Sequence, residues 1–163
     1  MKMVWLICLL FIGSQRVSAQ SDTLAVYKRF PNLPVFNLIK LPDSTKFTRD
    51  DLNRRKATMI MLFSPDCDHC IHATKDLLQQ IDLFKQVQVI MVSSIDYTLT
   101  QTFFKDYSIA DHPNIIMARD ASFYLGTFYN LKQYPSVYLY NKKGKFIREF
   151  IGSFTMKEVA GYF

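Results

Sequence analysis

The chain has 163 residues, of which 49% are hydrophobic and 21% are charged, and its formal net charge at pH 7 is +6. This composition excludes intrinsic disorder, which requires low hydrophobicity and high net charge, and the length suits one domain. No apolar run reaches the ~18 residues that a membrane-spanning helix needs. The basic residues are scattered, with short runs at 54–56 and 142–145. The basic stripe interleaved with aromatics that would indicate nucleic-acid binding is absent from the sequence.

The first 19 residues have the pattern of a secretory signal peptide. Lys2 gives a positive start, an apolar run follows at 3–13, and the small residues 17–19 end in an Ala-x-Ala-like site after which we expect cleavage. The alternative is an uncleaved interfacial anchor. Cleavage would remove Cys8 and place the mature protein outside the cytoplasm, in the periplasm or the extracellular space, where disulfides persist.

The remaining chain is predicted to consist of a loose polar leader, residues 20–32, and one domain, residues 33–163. Within the domain, hydrophobic patterns alternate between strand and helix periods. The predicted strands lie at 35–39, 58–63, 87–92, 114–117, 137–140 and 146–150. The predicted helices lie at 48–52, 67–84, 98–107, 120–129 and 155–163. This order predicts an α/β fold in which a central mixed sheet is flanked by helices.

The residues that carry chemistry lie where a buried strand ends and a helix begins. Cys67 and Cys70 are three residues apart in the first predicted turn, so their sulfurs lie on one face and are close enough to bond. The unpaired N–H groups and the positive dipole end of the helix stabilise a thiolate at Cys67. We expect Cys70, one turn deeper, to be shielded and protonated. The pair therefore supplies an attacking and a resolving sulfur.

Three polar side chains surround this pair. His69, when protonated, stabilises the Cys67 thiolate, whereas the negative charges of Asp66 and Asp68 oppose it. The alternative for His69 is a solvated surface residue. All three are predicted to modulate the cysteines.

A structural disulfide and a metal site are the two rival uses of these residues. A disulfide that closes a four-residue loop gains only about 2 kcal/mol of chain entropy, against nearly 5 kcal/mol for a loop of about 100 residues. On a regular helix the two cysteines centre about 160° from His69 and His72, so these four side chains cannot close around one ion. We therefore predict redox use, with no metal and no bound cofactor.

A second feature is the pair Tyr134-Pro135 immediately before a predicted strand. Proline cannot donate a hydrogen bond to a strand ladder, so it belongs at the first position or at an edge. An X-Pro bond can also be cis at modest cost. By itself this pair is weak evidence, because any strand can start with proline.

Taken together, these features resemble the thioredoxin superfamily. The shared features, in chain order, are the apolar strand, Cys67-Asp68-His69-Cys70 on a helix start, Tyr134-Pro135, a hairpin turn at 141–144 and Gly152 before a last helix. Residues 34–52 are similar to the N-terminal part of the exported TlpA/ResA-type branch. The resemblance implies a thioredoxin-like fold with an N-terminal β extension.

The resemblance also implies an activity and the roles of the site residues. Cys67 would be the nucleophile, Cys70 the resolving cysteine of a redox-active disulfide, and Pro135 a cis-proline beside them. The backbone at Tyr134 would pair with a bound substrate segment. The implied function is an exported thiol–disulfide oxidoreductase that exchanges disulfides with protein substrates through a mixed disulfide, and that a further redox partner recharges.

Several positions depart from the pattern of this superfamily. Asp66 stands where Trp is usual, Met61 where many thioredoxins carry an acid, and Ala73 where ResA-like proteins carry Glu. The proton acceptor for Cys70 is therefore unassigned, with water and Glu149 as candidates. His69 is similar to the oxidising DsbA type, whereas the N-terminal extension is similar to reductants, so reductant, oxidant and isomerase all stay open.

Two other functions compete with disulfide exchange. In a peroxiredoxin-like thiol peroxidase, Ser64 would occupy the hydroxyl position of the motif, but Ile60 stands where that motif has proline. A non-catalytic binding or scaffold module on a thioredoxin-like frame is the other alternative, carrying copper or a client protein. Copper chaperones with a related pattern have their cysteines four apart, whereas here they are three apart.

Overall fold

The computed structural model describes residues 24–163, so the predicted signal peptide and Cys8 lie outside the described residues. The strands are β1 (Asn37–Lys40), β2 (Lys46–Thr48), β3 (Ala57–Leu62), β4 (Val87–Ser93), β5 (Ile115–Arg119), β6 (Ser136–Tyr140) and β7 (Phe146–Ile151). The α-helices are α1 (Val26–Arg29), α2 (Asp68–Gln79), α3 (Tyr97–Asp106), α4 (Tyr124–Tyr129) and α5 (Met156–Ala160). Short 3-10 helices lie at Arg49–Asp51, Ile81–Phe84 and Ile109–Asp111.

These strands form one mixed sheet in the order β2-β1-β5-β4-β3-β6-β7. Strands β3, β4 and β5 run parallel, and β6 pairs antiparallel with β3. Every residue of β3 and β4 is buried, because helices cover both faces of the sheet, and this explains why these strands are continuous apolar runs. The predicted α/β class with a central mixed sheet is confirmed.

Two hydrophobic cores lie on opposite faces of this sheet. Along β3, Met59 and Met61 belong to one core, whereas Ile60 and Leu62 belong to the other, as the two-residue period of a strand requires. The first core also receives buried side chains of α2, α3 and α5, and the second receives those of α1 and α4. Each helix therefore packs against the sheet through one apolar face.

The predicted N-terminal β extension is confirmed as an antiparallel hairpin of β1 and β2. Strand β1 pairs antiparallel with β5 through Ile39 and Arg119, and it pairs with β2 through Leu38 and Phe47. The strand starts at Asn37, two residues later than predicted, and Val35 is 65% exposed. No strand was predicted at β2, because its three residues are too few for a clear two-residue period.

The prediction of a loose leader is wrong for residues 24–32. Helix α1 forms there, and Tyr27 is only 4% exposed. Its ring lies 5.4 Å from the ring of Tyr129 and 5.3 Å from the rings of Tyr138 and Phe146, centroid to centroid. One aromatic side chain thus anchors a polar segment, which hydrophobic periodicity over a window does not reveal.

The long helix predicted at 67–84 is shorter than expected. Helix α2 ends at Gln79, and residues 81–84 form a separate 3-10 helix. Asp76 fixes this end, because one carboxylate oxygen accepts the N–H of Met156 at 2.6 Å and the other accepts a hydrogen bond from the Gln80 side chain. The turn then directs Phe84, which is completely buried, into the core.

The helix predicted at 120–129 begins later than expected. Helix α4 starts after Phe123, which has a left-handed conformation with φ of 55°, and the buried carboxylate of Asp120 accepts the N–H of Leu125 at 2.7 Å. Within residues 24–163, no helix is both long enough and apolar enough to cross a bilayer.

Candidate active site

The candidate site lies at the edge of the sheet where β3 ends and β6 begins. These strands are antiparallel, and Leu62, the last residue of β3, pairs with Ser136, the first residue of β6. The loop from Phe63 to Cys67 and the pair Tyr134-Pro135 therefore leave the sheet at the same edge. Topology brings together two motifs that are more than sixty residues apart in the sequence.

Both cysteines are thiols, and they lie at the start of α2. Cys67 is the N-cap residue, one position before the first turn in which it was expected, and its sulfur accepts the N–H of Cys70 at 3.3 Å. Cys67 is half-buried, whereas Cys70 is completely buried. The predicted asymmetry between an accessible and a shielded sulfur is therefore present.

Burial dominates the electrostatics of the inner cysteine. It raises the pKa of Cys70 far above the usual value, and the hydrogen bond to Cys67 and the charges of Cys67 and Asp66 raise this pKa further. The N–H of Ser64, which donates to the Cys70 sulfur at 3.5 Å, acts in the opposite direction. Cys70 is accordingly held as a neutral thiol under Cys67.

The loop before Cys67 contains a contact that the sequence analysis missed. Ser64 is buried, and its hydroxyl donates a short hydrogen bond to the exposed carboxylate of Asp66. The same serine therefore contacts Cys70 through its backbone and Asp66 through its side chain. The signal for it is a serine two residues before an aspartate, directly after a buried strand, which is the spacing of a local side-chain hydrogen bond.

Asp68, His69 and His72 are all exposed on α2. His69 and His72 line an open groove of about 410 Å³ between α2 and the loop after β7, and Gly152 and Phe154 form part of its other wall. Within residues 24–163, no three His, Cys, Asp or Glu side chains are arranged to hold a metal ion.

The Tyr134-Pro135 peptide bond is cis, as the resemblance implies. The carbonyl of Pro135 accepts the N–H of Gly152 at 2.9 Å, which joins this loop to the end of β7. Gly152 has a φ of +77°, a backbone conformation that favours glycine because residues with a Cβ atom rarely adopt it.

The half-buried Tyr134 side chain packs against the hydrophobic core that contains Cys70. Burial raises the pKa of its phenol, and the charges of Cys70 and Asp120 raise it further. Asp120 is almost completely buried, and its carboxylate also accepts the hydroxyl of Ser122 at 2.9 Å.

Glu149, a candidate proton acceptor for Cys70, lies on the other face of the sheet: it pairs with Tyr138, which belongs to the second core, whereas Cys70 belongs to the first. Its carboxylate binds the Lys28 ammonium at 2.8 Å and accepts a short hydrogen bond from the Tyr27 hydroxyl. Glu149 therefore ties α1 to β7, and this candidate assignment is wrong. Side chains alternate between the two faces of the sheet along β7, and Glu149 lies on the face that α1 covers. The sequence of β7 alone does not show which helix covers which face.

Neither a protein-family model nor a curated protein sequence matches this chain. Solved structures do match, with low identity and high coverage. A secreted disulfide oxidoreductase of Mycobacterium tuberculosis, homologous to E. coli DsbE, is 19% identical over 78% of this chain and 92% of its own, with a TM-score of 0.65. A thiol-disulfide oxidoreductase of Bacteroides fragilis is 18% identical over 75% of this chain and 91% of its own, with a TM-score of 0.62.

The structure of StoA from Bacillus subtilis also matches: it is 17% identical over 81% of this chain and 98% of its own, with a TM-score of 0.60. At such identities the likeness concerns the course of the backbone. The chain therefore has a thioredoxin-like fold.

Proposed function

We propose that this protein is an exported thiol–disulfide oxidoreductase that acts on protein substrates. The observation that carries the proposal is the arrangement of two thiols at the start of α2, with Cys67 half-buried and Cys70 completely buried beneath it. The N–H of Cys70 donates to the Cys67 sulfur at 3.3 Å, which holds this sulfur at the helix start.

The exchange proceeds in two steps in the reductive direction. The Cys67 thiolate attacks one sulfur of a client disulfide, a Cys67–client bond forms, and the other client sulfur leaves and takes up a proton. Cys70 then loses its proton and attacks the Cys67 sulfur, the Cys67–client bond breaks, and the second client sulfur leaves. The client gains two electrons and two protons, and Cys67 and Cys70 become a disulfide. The reverse sequence oxidises a client dithiol.

The substrate-binding part of the proposal concerns Tyr134 and Pro135. Because these residues leave the sheet at the same edge as Cys67, an extended client segment that pairs with the backbone at Tyr134 would bring its cysteine to the Cys67 sulfur. We propose His69, Asp66 and Asp68 as residues that modulate the two thiols. Another redox protein would recharge the pair.

The proposal of export rests on the signal-peptide pattern of residues 1–19. It is supported by the M. tuberculosis neighbour, which has a similar fold and is secreted. Expression with a periplasmic or secretory pathway should yield a mature chain that starts at Gln20. N-terminal sequencing checks this, and a chain that retains Met1 would contradict it.

The test of the exchange mechanism is the capture of mixed disulfides. In Cys70→Ala, the first step still occurs but the second cannot, so client proteins should accumulate on Cys67 and be identifiable by mass spectrometry after non-reducing separation. The matched control is the double variant Cys67→Ala/Cys70→Ala, which should capture nothing. Equal capture by both variants, or none by either, would contradict the proposal.

The structure does not favour the peroxidase alternative. In that chemistry the Ser64 hydroxyl would assist the cysteine, but here it donates to Asp66. If Cys67→Ala kept the full biological activity, the scaffold alternative would be correct instead.

A further inference from the structure

A second candidate site lies at the opposite edge of the sheet from the cysteines. It is a cleft of about 540 Å³ between the loop before β3 and the turn between β6 and β7. Its floor includes Thr58 and Gln88, which lie near the starts of β3 and β4. The strand from Thr58 to Leu62 spans about 13 Å, so a ligand in this cleft would not reach Cys67.

Positive charge dominates the walls of this cleft. Five cations line it against a single acidic residue, Asp50: they are Arg49, Arg54, Lys56, Lys142 and Lys143. In the sequence these cations belong to two segments, 49–56 and 142–143, and only the tertiary structure brings the two together.

None of the five pairs with a carboxylate within residues 24–163, although Lys28, Lys40 and Lys85 each do. Asp51, which is next to this group, already accepts the N–H and hydroxyl of Thr48, both at 2.8 Å. Asp50 is therefore the one negative charge among five positive charges in the cleft lining, and an anion that enters the cleft relieves the repulsion between the cations.

Hydrogen bonds hold the two main cationic loops in place. The side chain of Gln88 accepts the N–H of Asn53 at 2.9 Å and donates to the Asn53 carbonyl at 3.2 Å, which fixes the loop that carries Arg54. On the other side, the Asn141 side chain accepts the N–H of Lys143 at 2.9 Å and that of Lys145 at 3.1 Å. The backbone that carries the cations is thus ordered before any ligand binds, which lowers the entropic cost of binding.

We propose that this cleft binds a ligand that carries several phosphate groups. Arginine and lysine together suit phosphate, because guanidinium groups make paired hydrogen bonds and ammonium groups act as point charges. A single carboxylate or halide would leave most of the five cations uncompensated. A soluble polyphosphate anion and the headgroups of an anionic lipid surface offer the same chemistry.

The experiment compares two probes and two matched variants. The probes are inorganic tripolyphosphate, followed by calorimetry at low ionic strength, and vesicles of phosphatidylglycerol, followed by co-sedimentation. The cleft variant is Arg54→Ala/Lys143→Ala, and the control is Lys105→Ala/Lys157→Ala, which removes the same charge from α3 and α5. All four side chains are exposed, so both variants should fold, and thermal unfolding checks this.

We expect saturable binding of at least one probe, weakened about tenfold or more in the cleft variant and by less than about twofold in the control. Binding of tripolyphosphate identifies a soluble anion, and binding of vesicles alone identifies a lipid headgroup. Binding of neither probe, or equal weakening in both variants, would overturn the proposal, since net charge rather than the cleft would then be responsible.

Discussion

At the residue scale, the difference between the two cysteines follows from their positions at one helix start. Cys70 is completely buried, so desolvation penalises its thiolate, and the charge of Asp66 adds to that penalty. In the proposed exchange, the loss of the Cys70 proton is therefore the unfavourable part of the second step. The N–H of Ser64 is the group that offsets it.

The variant Asp66→Asn tests this account of Cys70. Removing the negative charge lowers the pKa of Cys70, and at neutral pH, below that pKa, the thiolate fraction rises about tenfold for each unit. Because nucleophilicity falls with pKa, we expect a net acceleration of about threefold per unit in the second step. The measurement is stopped-flow release of a chromogenic thiol from a mixed disulfide preformed on Cys67, as a function of pH.

Asp68→Asn is the matched control, because the Asp68 charge is not among the groups that raise the pKa of Cys70. The two variants make the same chemical change two residues apart. An equal acceleration in both, or none in Asp66→Asn, would contradict the assigned role of Asp66.

At the scale of elements, two N-terminal pieces extend the sheet and its core in different ways. The β1–β2 hairpin adds two strands beyond β5 through backbone pairing, whereas α1 is attached mainly through Tyr27. The sequence pattern predicted the first strand of this hairpin but not the second. Helix α1 has four residues, too few for a helical period, so only its tertiary contacts stabilise it.

The variant Tyr27→Ala should destabilise the protein by about 3 kcal/mol, because it removes a buried aromatic ring from a well-packed site. Urea unfolding measures the change. Phe30→Ala is the control in the same segment, since Phe30 is 59% exposed and its loss should cost less than about 0.5 kcal/mol. Equal effects of the two substitutions would show that α1 does not anchor residues 24–32 as the structure indicates.

At the scale of the whole molecule, the sheet separates two chemically different edges. The thiols and the cis-proline lie at the edge where β3 ends and β6 begins, and the basic cleft lies at the opposite edge. The strands between them are buried at every residue, so each edge is held on a rigid support.

Alkylation of the reduced protein tests how far the fold, rather than the local sequence, makes the cysteines different. Near neutral pH, Cys67 should react at least about tenfold faster than Cys70 in the folded protein, since burial both shields Cys70 and raises its pKa. In strong denaturant the two rates should become similar. Mass spectrometry of the labelled peptides gives both rates, and equal rates in the folded protein would contradict the assignment.

The sequence by itself determined the buried strands β3 and β4, the cysteine pair at a helix start, and Pro135 at the start of a strand. These are local signals: a continuous apolar run, a spacing of three residues and the lack of an N–H on proline. What only the tertiary structure decided depends on contacts between distant segments. Examples are the separation of Glu149 from Cys70, the burial of Tyr27 and of Asp120, and the meeting of two basic segments in one cleft. Strand pairing sets them, and no single stretch of sequence specifies which strands become neighbours.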